Sequence, residues 1–347
     1  MTTKKPLAAP ELIAQQEYLF GRAITETPAL VTCLMGDNGV MLAQLRTDAP
    51  NGSIANVAEV ATQAKKIIAQ AVEGMTPEDP EFVGLIFVSH CPEESPEIAK
   101  LALTELGDAL GYRVLTALHV SGGLIHNLAT GEIYPRIDPG TVPAMPGFSN
   151  TTATLLDRVT APSPEAGDEV YKAMAMGQAW SITEGNTRNL VKALSELADK
   201  VADGQATPAD LHRMTGILRN SDTWATALVS ILDPDLGLHG DENESLEGFL
   251  FRNLQPDWER VDRIQEALTQ MAELAPARAS APVLGALAWI QWSKGRSSMA
   301  NDLLEMSFDL APEYADSSFM QTLGLLFKSG TLSPVALNSA TAYRGTI

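Results

Sequence analysis

The chain has 347 residues, 45% hydrophobic and 19% charged, the make-up of a folded protein long enough for two domains of ordinary size. Its 24 Lys+Arg against 43 Asp+Glu give a net charge of −19, and Lys4-Lys5 and Lys65-Lys66 are isolated pairs; such a surface repels phosphate backbones, so nucleic acid is not an expected partner. Two cysteines suit a reducing compartment, Met1–Pro10 lacks an apolar h-region, and no apolar run nears the roughly 18 residues of a spanning helix, so we expect a cytoplasmic chain without a membrane segment.

In chain order, Ala29–Met35 and Val40–Arg46 are apolar runs around the turn cluster Gly36-Asp37-Asn38-Gly39, which predicts a β-hairpin. A helix over 53–74 follows, striped by Ile54, Val57, Ala61, Ala64, Ile68 and Ala71 and stopped by Gly74. Phe82–Ser89 reads as a strand covered on both faces. Ser95–Leu110 reads as a helix with Ile98, Leu101, Ala102, Leu106 and Ala109 inward, closed by Gly111. Arg113–Val120, Gly122-Gly123 and Leu124–Leu128 give a second hairpin. The order ββαβαββ predicts a mixed sheet, parallel at its centre and extended antiparallel by the hairpins.

From Gly131 to Pro164, prolines at 135, 139, 143, 146, 162 and 164 break long elements, while Ile133, Tyr134, Val142, Met145 and Phe148 supply packing. Helices are then predicted over 189–201, from the Thr207-Pro208 cap onward, over 221–232 and over 257–274, with an exposed acidic loop at 233–244. The expected division is an extension at 1–16, an α/β domain at 17–150, a Pro-rich boundary at 151–167, a helical domain at 168–335 and a tail at 336–347. The fold class is therefore α+β, or mixed α/β: a mixed N-terminal sheet followed by an all-α part.

That part ends in a helical hairpin at tetratricopeptide spacing over 282–313. Gly295 sits at its turn, Leu284, Leu287 and Ala288 on its first helix, Ala300, Leu304 and Ser307 on its second, and Pro312 at its end. A further helix is expected over 314–327, capped by Gly330. One such unit cannot bury its own faces and must lean on the preceding helices.

The segment Ala281-Pro-Val-Leu-Gly-Ala-Leu-Ala-Trp-Ile-Gln-Trp-Ser-Lys-Gly295, with Ala300 and Asp309-Leu-Ala-Pro-Glu-Tyr314, resembles the C-terminal signature of domain of unknown function 4192, a family of actinobacteria and their phages. Tyr18-Leu19-Phe20-Gly21 with Ala29-Leu30-Val31 resembles that family's opening block, and Leu118-His-Val-Ser-Gly-Gly123 a later strand. The resemblance implies a fold and a host range, but no reaction.

Among chemistry-bearing residues, a turn centred on Gly122-Gly123 would place His119 opposite His126 on one sheet face, within reach of a shared metal or proton or as two packed neutral rings. Ser89, His90 and Cys91 end the central strand, where open α/β sheets take ligands; a nearby helix start would depress the Cys91 thiol, making it a nucleophile candidate with His90 beside it, or a half-buried structural cysteine. Asp37 and Asp48 bracket the first hairpin and could approach a metal, and Cys33 reads as core. Gly122-Gly123 leads into a strand rather than a helix, so no phosphate loop is expected, and no GxSxG elbow occurs. Trp289 and Trp292 share a helix face and read as core; Trp292 and Arg296 are the candidates for protein contact.

No cofactor is expected. The expected function is a non-enzymatic protein-binding or regulatory module acting through its C-terminal helices. The alternative is a small-molecule-binding protein or enzyme with its pocket at the strand ends.

Overall fold

The computed structural model describes residues 8–20, 24, 27–37, 39–75, 80–138, 152–160, 167–184, 186–219, 224–233, 254–313, 318–328, 331–338 and 341–343. The chain divides into two units, Met1–Ala153 and Thr154–Ile347.

In the first unit, helix α1 (Ala9–Phe20) precedes β1 (Ala29–Gly36) and β2 (Met41–Asp48). Helix α2 (Val57–Glu73), β3 (Phe82–His90), α3 (Pro96–Leu110), β4 (Val114–Ser121), β5 (Leu124–Asn127) and β6 (Ile133–Pro135) follow. The described strands form one sheet in the order β2-β1-β3-β4-β5-β6. Only β3 and β4 pair in parallel, joined by the α3 crossover; the other neighbours are antiparallel. This is the mixed ββαβαββ sheet with one strand added. Ile133–Pro135 falls in the Pro-rich stretch expected to be irregular, yet Tyr134 pairs with Ile125 and Ile133 with His126, and Pro135 is tolerated because β6 is an edge strand.

Helix α1 runs across the expected boundary between an extension and the α/β domain. Leu12 and Ile13 are buried with Val31, Cys33, Val88, Val120 and Ile125, so α1 is the lid of one sheet face. Helices α2 and α3 serve the other. Ser95 caps α3 through its side chain, Pro96 opens it and Gly111 closes it at φ 73°, as the sequence led one to expect.

The buried stripe of α3 is displaced, however. Ala99, Ala102, Leu103, Leu106, Gly107 and Leu110 face inward, while Leu101 is 73% exposed and Ile98 and Ala109 also face solvent. Gly107 decides this: a Cβ there would lie 2.7 Å from Val114 Cγ2, so the helix seats on β4 through its glycine. Helix α2 begins at Val57 rather than 53, because Pro50–Gly52 forms a 3-10 turn with Asn51 at φ 54°.

The second unit is helical: α4 (Thr152–Thr160), α5 (Asp168–Glu184), α6 (Thr187–Ala202), α7 (Pro208–Leu218), α8 (Trp224–Leu232), α9 (Trp258–Leu274), α10 (Ala277–Ser293), α11 (Ser297–Leu310), α12 (Ser318–Lys328) and α13 (Pro334–Leu337). Helix α4 lies in the expected boundary, but Leu155 and Leu156 join the helical core, and Arg158 forks onto Glu266 at 2.8 Å and Glu273 at 2.5 Å. Thr207 and Asp210 close a capping box on α7.

Helices α5 and α7 touch backbone to backbone: a Cβ on Gly177 would lie 1.9 Å from the Arg213 carbonyl oxygen, and one on Gly216 2.0 Å from that of Met174. The α10–α11 hairpin turns at Gly295 (φ 80°), with Ala288 and Ala300 fully buried between the two helices. Helix α10 is buried on every side from Ala279 to Ser293. The expected loop at 233–244 and the prolines from 139 to 146 lie outside the described residues, apart from Asp233.

Candidate functional site

Local turn chemistry sets the histidine pair. Gly122 and Gly123 adopt φ 57° and 78°, the two positive values a tight two-residue hairpin needs, and His119 pairs with His126 in register. Their ring centroids are 6.1 Å apart. His119 is fully buried, and both of its ring nitrogens are engaged. Nε2 lies 3.0 Å from the Glu94 carbonyl oxygen, which can only accept, so Nε2 carries the proton. Nδ1 is then the acceptor for the Ser89 hydroxyl at 3.2 Å. Burial holds the imidazole below its usual pKa, opposed by the Glu94 carbonyl.

With its single lone pair taken by Ser89, His119 offers none to a metal. Among the described residues no three His, Cys, Asp or Glu side chains converge on a metal-sized gap. Asp37 and Asp48 sit at opposite ends of the first hairpin; Asp48 is paired with Arg46 at 2.6 Å.

Ser89, Cys91 and His119 form one closed polar chain. Ser89 and Cys91 are both fully buried, with Ser89 hydrogen-bonded to the thiol. Burial drives the Cys91 pKa up to about 11; the Ser89 hydroxyl and the Ile54 and Ala29 backbone pull it down only partly. The expected helix-start activation of Cys91 does not arise, because desolvation outweighs it. The Glu94 carboxylate receives the Ser53 hydroxyl and closes the outer side.

His90 lies on the opposite sheet face, as alternation along a strand requires. Its Nε2 meets Gln16 Oε1 at 2.9 Å, and Gln16 Nε2 donates to Cys33 Sγ at 3.3 Å. Helix α1 thus closes over a polar patch in which Glu17 pairs with Arg136 at 2.5 Å. Burial, followed by Arg136, His119 and Arg46, lowers the His90 pKa to about 3. His90 therefore cannot serve Cys91 as a base; the two face different layers. Cys33 is core, with its pKa pushed up to about 12 by burial.

In the helical unit, Trp289 and Trp292 are fully buried, their indole nitrogens donating to the Leu228 and Thr331 carbonyls at 3.0 Å each. Trp292 thus has no surface for a partner, with Thr331 among the residues that cover it. Arg296 is half-buried, its guanidinium 5.5 Å from the Tyr343 ring.

Beside Arg296 is a cluster that local sequence patterns did not reveal. The Lys294 side chain is 1% exposed; its Nζ donates to Asp262 and, at 2.7 Å, to Gln265 Oε1. Gln291 Nε2 donates to the same oxygen at 2.7 Å. Burial lowers the Lys294 pKa to about 8 against the pull of Asp262. A small cavity elsewhere in the helical unit is lined only by apolar side chains, among them Leu190, Leu194, Leu228, Ile231 and Leu268.

Compared with models of protein families, with curated proteins and with solved structures, the chain has no match. No helix among the described residues is long and apolar enough to cross a membrane.

Proposed function

We propose that the chain is a non-enzymatic protein-binding or regulatory module that makes its contacts through the helical unit. The carrying observation is helix α5. One of its faces is welded to α7 through Gly177, leaving no room for a side chain. Its solvent side presents Tyr171 and Ile182 along one stripe at 56% and 70% exposure, with Met176, 58% exposed, on a separate flank. Large apolar side chains exposed along one stripe of a helix are natural points of attachment for a partner. Kinship with the actinobacterial and actinophage family belongs to the same reading and draws on the sequence of the α10–α11 hairpin; a cytoplasmic setting draws on the two cysteines, both free in the structure.

The test is affinity capture from an actinobacterial lysate with wild-type bait and with Tyr171→Asp/Ile182→Asp bait in parallel, each eluate also weighed by native mass spectrometry. A protein held by wild type and lost by the variant supports the module. Equal capture by both baits removes α5 from the reading.

A second reading, a small-molecule protein or enzyme at the strand ends, draws on one observation: the Ser89 hydroxyl donates to a histidine whose tautomer is fixed by a carbonyl, the orientation a nucleophile–base pair needs. Its weakness is access, since Ser89, Cys91 and His119 are all fully buried. A small molecule retained on the native protein would favour it.

A further inference from the structure

Beyond α13, Thr341–Tyr343 lie at the turn of the α10–α11 hairpin, with Tyr343 on it. The phenol hydroxyl donates to Asp262 Oδ2 at 3.0 Å. The ring stands edge-on to Trp258, with centroids 5.2 Å apart, and Lys294 Nζ lies 4.3 Å from its centroid. Two residues earlier, the Thr341 carbonyl accepts from Trp258 Nε1 at 2.8 Å. A backbone anchor, an aromatic wall, cations over the ring and an acceptor for the hydroxyl are what a site that reads a tyrosine in a peptide requires.

The floor of this site is also tied together by contacts that do not involve Tyr343. Lys294 is held by Asp262 and Gln265, and Gln265 in turn by Gln291, all from α9 and α10. The tail rests on that floor: Thr341 is buried, its hydroxyl donating to the Val335 carbonyl at 3.0 Å, and Ala342 and Tyr343 are half-buried.

We propose that the hairpin turn is a recognition site for a tyrosine-bearing peptide segment of a partner protein, occupied in the resting chain by its own Tyr343. The inference rests on the protein-binding reading and deepens it, at a surface separate from α5. Tethering gives the tail a high effective concentration at the site, on the order of millimolar for a short linker, so a partner's tyrosine binds only as the tail is displaced. Asp262 supplies selectivity: a phenylalanine in place of the tyrosine cannot make the hydrogen bond that the phenol hydroxyl donates to Asp262 Oδ2.

The test uses a fluorescein-labelled peptide of residues 338–347, Asn-Ser-Ala-Thr-Ala-Tyr-Arg-Gly-Thr-Ile, titrated by anisotropy against the intact chain, a chain ending at Asn338 and full-length Tyr343→Ala. Thermal melts verify that both variants fold, and Tyr343→Ala covers the case in which the shortened chain does not. The expected result is saturable binding to the folded variants and at least tenfold weaker binding to the intact chain. Replacing the peptide's tyrosine by phenylalanine should weaken binding about tenfold. Three outcomes would overturn the proposal: no binding to either folded variant, equal binding to the intact chain, or a phenylalanine peptide that binds as tightly. Because the readout needs no lysate partner, failure of the α5 capture leaves this result standing, and the reverse also holds.

Discussion

Replacing Gly177 by alanine sets two effects of opposite sign against each other. In an open helix the change should stabilise by about 1 kcal/mol, because glycine is the weaker helix former. In α5 the new methyl would stand 1.9 Å from the Arg213 carbonyl oxygen, where ordinary contact begins at 3.4 Å. Helices α5 and α7 would have to part by about 1.5 Å, and a gap of even 1 Å forfeits up to about half of each contact's dispersion energy. Overpacking of this kind costs about 1–3 kcal/mol, and with backbone as the obstacle we take the upper part of that range. Net of propensity, Gly177→Ala should destabilise by about 2 kcal/mol, or about 4–8 °C in Tm for a helical unit of this size. Gly216→Ala should do the same, its Cβ lying 2.0 Å from the Met174 carbonyl oxygen. The double variant should fall short of the sum, since one displacement relieves both clashes. Gly324→Ala on α12 is the control: among the described residues its Cβ meets only Leu304 Cδ2, at an ordinary 3.9 Å, so it should stabilise. Thermal and urea unfolding followed by circular dichroism reads all four proteins. Gly177→Ala rising alongside Gly324→Ala would refute the close crossing.

Two further outcomes concern the sheet. His90 has a folded pKa of about 3, below its unfolded value of about 6.5, so between those limits the unfolded chain binds the extra proton. Its contribution is complete above about pH 6.5 and is lost as pH falls, with a limiting slope of about 1.4 kcal/mol per pH unit. His90→Asn should flatten the dependence of urea midpoint on pH between 4 and 6.5; an unchanged curve would remove His90 as the cause. Cys33 and Cys91, buried and with pKa values raised to about 12 and 11, should resist a disulfide reagent at pH 8 in the native chain and react fully in denaturant. Fast native labelling of Cys91 would reopen the strand-end pocket.

What was legible in the sequence was local. The opposition of His119 and His126 follows from two glycines that alone set the register of a tight hairpin, and Ser95-Pro96 with Gly111 marks both ends of α3. The inward stripe of α3 was misread because its apolar residues cover more than one face, and the choice between them rests on Gly107, which carries no hydrophobic signal. Strand β6 was hidden by prolines that an edge strand tolerates. The site around Lys294 joins residues 32 and 81 positions apart in its Lys294–Asp262 and Tyr343–Asp262 contacts, and no periodicity connects these. For Cys91, helix-start activation can be read from spacing, whereas the burial that reverses it and leaves a structural cysteine cannot.

The end of β3 carries a consequence for the opening of the sheet unit. Ser89 and His90 are consecutive, yet one is bonded toward the 91–95 loop through His119 and the other toward α1 through Gln16. A single stretch of backbone thus rivets two layers that share no side chain. Lifting α1 strips His90 of its partner and loosens the strand that holds Ser89 under His119. The two layers should therefore open as one cooperative unit, and amide exchange in α1 and in the residues after β3 should share one opening free energy.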